Sequence, residues 1–167
     1  MCEIKSYVDV KKRIEDLGCN LPKSIAILPR NFESARTKNE LIHEDTTKTV
    51  RSLWRQSGIN ETPIEQEGEI FPFIVEESFQ WVGPLILFTS TLITQNPQLV
   101  DVSIGVISNY LTDWFKGIRN DQKKAVLDAV VEKKDGTYTR VHYEGPPEGM
   151  KELPRIIRST HDEEGSQ

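Results

Sequence analysis

From Ser78 to Phe115 the chain carries only two charged side chains, Asp101 and Asp113, and from Ser78 to Val100 it carries none. Such a stretch has to be sheltered from water by the rest of the fold, by another protein or by lipid. The flanks are ordinary by contrast. Residues 1–77 hold 11 basic and 14 acidic side chains, and residues 116–167 hold 10 of each. The total is a net charge of −5 over 167 residues. A chain built to coat nucleic acid is normally basic, so the bulk charge argues against that class of partner.

The local pattern gives an α+β chain. Ser6 can cap a helix running to Leu17, with Tyr7, Val10, Ile14 and Leu17 on one stripe and Gly18 as its stop. Ser24–Leu28 reads as a short strand, and Glu33–His43 as a charged helix. Thr46 or Thr47 opens another helix, which buries Val50, Leu53 and Trp54 and ends at Gly58. Residues 59–77 read as a hairpin turning at Gly68. The order of helix, helix and hairpin over residues 33–76 resembles that of a winged helix.

Gly83-Pro84 then starts an apolar helix through Ile93, with a strand as the competing assignment because β-branched residues are frequent there. Asn96-Pro97 starts a second helix, and the two form an apolar helical hairpin. Val126–Lys133 and Thr137–Glu144 form a two-stranded ribbon. A three-residue turn ending at Gly136 puts Leu127, Ala129, Val131, Thr139, Val141 and Tyr143 on one face and sets His142 opposite Asp128. A short helix with Met150, Leu153, Ile156 and Ile157 follows, and Ser159–Gln167 reads as a polar tail. The expected organisation is a helical lobe over 1–77, a second lobe over 78–158, and the tail.

Catalytic signatures are missing from the sequence. His43, His142 and His161 are far apart, Cys2 and Cys19 suffice for neither a zinc site nor a disulfide framework, and no phosphate loop or nucleophile motif is present. No catalytic residue, metal ligand, cofactor or small-molecule substrate is therefore assigned. The N-terminal residues lack the apolar stretch of a signal peptide, which leads to a cytoplasmic expectation, with a membrane periphery as the variant. Spanning a bilayer takes about 20 predominantly apolar residues. The uncharged run is interrupted by Gln80, Thr89, Ser90, Thr91, Thr94, Gln95, Asn96, Pro97 and Gln98, so a shallow seat at a membrane surface is the form that reading takes.

The stretch from Trp114-Phe-Lys-Gly through Val126–Glu132, the Asp135-Gly136 turn and Val141-His-Tyr-Glu-Gly145 to Ile157 resembles small accessory proteins encoded beside bacterial effector and conflict systems. The resemblance covers about a quarter of the chain. It implies an accessory role in a prokaryotic system and transfers no catalytic residue. The functional expectation is a non-catalytic assembly module. It would associate with itself or a protein partner through the central block, with Trp81, Leu85, Phe88, Ile107, Leu111, Trp114 and Phe115 as the interface. Membrane-surface association through the same block is the alternative. A further alternative is DNA binding by the helix from Thr47, with Lys48, Arg51 and Arg55 as the contacts. The acidic residues Glu61, Glu65, Glu67 and Glu69 of the would-be wing oppose it.

Overall fold

A computed structural model describes residues 1–75, 80–119 and 122–163. The chain is mixed α+β, built on one five-stranded sheet. The strands of this sheet are β1 (Cys2–Ser6), β2 (Ile25–Leu28), β5 (Trp81–Phe88), β6 (Ala125–Glu132) and β7 (Tyr138–Gly145). Their spatial order is β1-β7-β6-β5-β2. β5 and β6 run parallel, and the other neighbours are antiparallel. A two-residue pair, β3 (His43–Glu44) with β4 (Phe73–Ile74), stands apart and is parallel. The helices are α1 (Val10–Leu17), α2 (Thr47–Gln56), α3 (Ser90–Gln95), α4 (Gln98–Trp114) and α5 (Leu153–Asp162).

Alternation along the strands sorts the apolar residues into two cores. On one face Ile25, Ile27, Ile86, Phe88, Leu127, Ala129, Val131, Val141 and Tyr143 meet α2, α3, α4 and α5. On the other, Ala26, Leu28, Leu85, Leu87, Val130 and Tyr138 meet α1 and the irregular segment that contributes Phe32, Ala35, Leu41, Ile64 and Phe71. Strands from both 1–77 and 78–158 share the sheet.

The expected helix after Gly83-Pro84 is not formed, and with it the apolar helical hairpin. Trp81–Phe88 is a strand lying between β2 and β6, buried along nearly its whole length. A central strand covered on both faces needs apolar residues at every position, so its sequence loses the period of two and mimics a buried helix. Gly83-Pro84 marks a register shift in the pairing with β6, where a missing N–H is tolerated. Gly83 is also required for space, since a Cβ there would lie 2.6 Å from the Trp81 ring and 2.7 Å from Leu127. The second helix forms as expected, as α4.

Four further expectations change. The first helix starts at Val10 under an Asp9 cap, and the residues before it form β1. Glu33–His43 is not a helix. It runs through turns and a 3-10 turn at Lys38–Glu40, and Arg13 donates to the carbonyls of Phe32 and Ala35 that a helix would have used internally. No hairpin forms within 59–75. Phe73–Ile74 pairs instead with His43–Glu44, and Glu76–Phe79 lie outside the described residues. Ser159–Asp162 belongs to α5, with Thr160 and His161 buried, while residues 164–167 lie outside the description.

The C-terminal ribbon follows the expected register. Lys133 and Thr137 close the turn, Gly136 adopts φ 86°, and Asp128 faces His142.

Candidate functional site

The central block is sheltered by its own chain. Trp81, Leu85, Phe88, Ile107, Leu111 and Phe115 are all buried within the single molecule. A side chain already removed from water has little area left to offer a partner, so these six present little of their surface to one. Trp114 differs. It is 43% exposed and packs edge-on against Phe115 with centroids 4.7 Å apart. No helix of the described residues is long and apolar enough to cross a membrane.

The residues assigned to DNA contact are dispersed. Arg51 is turned inward with 19% of its side chain exposed. Its guanidinium donates through Nε and Nη2 to both oxygens of Glu61 (2.8 and 3.1 Å) and through Nη2 to Glu65 (2.9 Å). Lys48 is exposed, with its Nζ 4.4 Å from the Phe73 ring centre. Arg55 is exposed at the rim of a concave surface also lined by Glu61, Glu65 and Glu67. Two of the four carboxylates expected on a wing, Glu61 and Glu65, are thus taken up by Arg51 of α2.

His43 joins this network. It lies fully buried in β3 between Phe71 and Phe73, with Nε2 3.2 Å from Glu65. Burial raises the Glu65 pKa, but the His43 hydrogen bond and the Arg51 charge outweigh it and hold the carboxyl below its ordinary range. The sign for stability follows. A carboxyl whose folded value lies below its unfolded value stabilises the fold above the ordinary glutamate value of 4.5, and the contribution is lost as pH falls through the folded value. Urea midpoints should therefore drop on acidification below about pH 4.5, and Glu65→Gln should flatten that drop while costing stability at pH 7.

The other two histidines each stand beside a single aspartate, His142 by Asp128 and His161 by Asp162, and no metal-ligating cluster of three occurs among the described residues. His161 is buried at the end of α5, with Nε2 2.8 Å from the Ser90 hydroxyl. Burial raises the Cys19 thiol's pKa, against reactivity, while Cys2 is exposed on β1.

The remaining candidate lies at the edges of the sheet, which are treated differently. β2 is capped. Ile27 N–H donates to Glu61 (3.3 Å), and Thr62 N–H donates to the Ile25 carbonyl (2.8 Å). These contacts occupy two of the four outward peptide groups of Ile25 and Ile27, groups that an edge strand otherwise leaves open. β1 has no such cover among the described residues, and all five of its residues are exposed. Met1 exchanges both backbone bonds with Glu144, and Tyr7 N–H donates to the Tyr138 carbonyl. Bonding alternates along an antiparallel pair, so Glu3 and Lys5 also point their peptide groups inward to β7. The peptide groups of Cys2, Ile4 and Ser6 point outward.

Beside this edge lies a polar row. Glu3 sits next to His142 and Lys5 next to Arg140 on the same face. The Asp128 carboxylate lies 2.7 Å from His142 Nδ1 and 3.3 Å from Arg140 Nη2. The guanidinium lies over the Tyr7 ring, 5.9 Å from its centre. Glu3, Lys5, Tyr7, Glu33, Arg140 and His142 line a concavity of about 370 Å³. The Tyr7 hydroxyl is buried, and burial first, then Glu33, raises its pKa, so it stays protonated. With Asp128 holding Arg140, the row is a nearly charge-balanced surface next to an open strand.

Sequence reasoning missed β1. The available signal was the alternation of Glu3 and Lys5 with Cys2, Ile4 and Ser6. No family model, curated protein or solved structure matches the chain.

Proposed function

We propose that this protein is a non-catalytic accessory module that joins another polypeptide by accepting it as an added strand along β1. The observation that carries the reading is the contrast between the two sheet edges: β2 is capped by Glu61 and Thr62, whereas β1 presents the peptide groups of Cys2, Ile4 and Ser6 to solvent. Strand addition takes its affinity from such main-chain groups and its selectivity from the neighbouring side chains. Here those neighbours are Glu3, Lys5 and Ile4, the last 51% exposed. The assembly role expected for residues 78–118 thereby moves to the opposite end of the sheet, because the block itself is spent on the core.

The alternatives rest on less. A winged-helix DNA reader would need Arg51, whose donors are taken by Glu61 and Glu65. A membrane-surface seat would have to rest on Val102, Trp114 and Ile118, the exposed apolar residues on or just after α4.

The test is an array of immobilised eight-residue peptides with alternating apolar and polar positions, probed with the wild type and with Ile4→Pro. Proline at this position removes an outward N–H and no ladder bond, so the fold is retained. Retention of the wild type on a subset of peptides, lost in Ile4→Pro, supports the proposal. Retention of neither protein, or of both equally, overturns it.

A further inference from the structure

We infer that the strand added to β1 is β1 of a second copy, paired antiparallel about Ile4. This inference rests on the strand-addition reading above. Three features of β1 select the register. First, the outward peptide groups belong to Cys2, Ile4 and Ser6, so a partner strand of the same sequence must present the same three. Antiparallel pairing about Ile4 sets Ile4 against Ile4 and Cys2 against Ser6, and every outward donor meets an outward acceptor.

Second, the same register places Glu3 of each copy opposite Lys5 of the other. These are the non-hydrogen-bonded positions, where side chains come closest. Third, the neighbouring registers are penalised. A shift by two residues in one direction sets Glu3 against Glu3, and in the other direction Lys5 against Lys5. A shift by one residue would set the outward peptide groups of one copy against residues whose groups are turned inward to β7, and leave the bonds unmade. Only the pairing centred on Ile4 satisfies both charges and backbone.

The product is one continuous ten-stranded sheet, with α4 and α5 of both copies on the same side. The two exposed Ile4 side chains cover each other on that side. The Glu3–His142–Asp128 rows approach each other on the opposite side. A five-residue strand buries well under the roughly 1,000 Å² of a permanent interface, so the association is weak and concentration-dependent.

Sedimentation equilibrium from about 10 µM to about 1 mM at low salt, with circular dichroism to verify folding, tests it. The wild type should dimerise with loading concentration. Glu3→Lys and Lys5→Glu should each weaken dimerisation by about tenfold or more, because two attractive pairs become repulsive. The double variant should restore it, and Ile4→Pro should abolish it. A dimer indifferent to these changes places the contact elsewhere and overturns the inference. So does a double variant as weak as the single ones, which would disprove the register. A strictly monomeric wild type that still binds array peptides overturns self-pairing and leaves strand addition standing with a different polypeptide.

Discussion

Replacing Arg51 with methionine is expected to cost about 3–5 kcal/mol of folding stability at pH 7, the usual consequence of leaving a buried charge unpaired. The side chains of Glu61 and Glu65 are 11% and 10% exposed, and Arg51 is their shared counter-ion. Without it, two carboxylates confront each other in a site that admits little water. Methionine keeps most of the aliphatic volume, so the loss reports charge rather than packing. The measurement is urea unfolding followed by tryptophan fluorescence. Adding Glu61→Gln and Glu65→Gln to Arg51→Met should recover a large part of the loss, because the repulsion disappears with the charges. A loss below about 1 kcal/mol would place Arg51 among ordinary exposed ion pairs and return it to the list of groups free to meet phosphate.

The second large effect concerns the central block. Leu111→Glu should leave little folded protein, since it drives a carboxylate into a site with no measurable exposure and no partner. Leu111→Ala should cost about 2–5 kcal/mol. Trp114→Glu, three residues along the same helix, should cost on the order of 1 kcal/mol, the value of its edge-on contact with Phe115. Thermal melts and soluble yield separate these outcomes. A folded, soluble Leu111→Glu protein would mean that α4 does not face the sheet.

How much of this could be read from the sequence depends on how local the determinant is. The β6–β7 ribbon was legible down to its register because turn chemistry and alternation agree: Asp135 accepts from the Thr137 N–H, and Gly136 takes the left-handed conformation. The end of α1 at Gly18 and the start of α4 after Asn96-Pro97 were legible for the same reason. β5 was legible only as the competing assignment, on its β-branched residues, because a strand buried on both faces has no period to detect. The 59–75 segment reads as a wing hairpin on its Gly68 turn, whereas Glu61 and Glu65 turn inward to a guanidinium on a different element. The site was the least legible part. Whether an edge is open depends on which strands are outermost and what lies beside them, and both are properties of the assembled sheet.

The strand order has a consequence for how the chain reaches its native state. Both margins of the sheet, β1 and β2, come from the first 28 residues, while the three strands between them begin at Trp81. Cys2 meets Tyr143 across 141 positions. During synthesis the outermost strands emerge before the strands they pair with, and closure of the sheet waits until residue 145 has left the ribosome. Sheet closure therefore depends on long loop closures, which slow folding, and β1 has no strand partner through that interval.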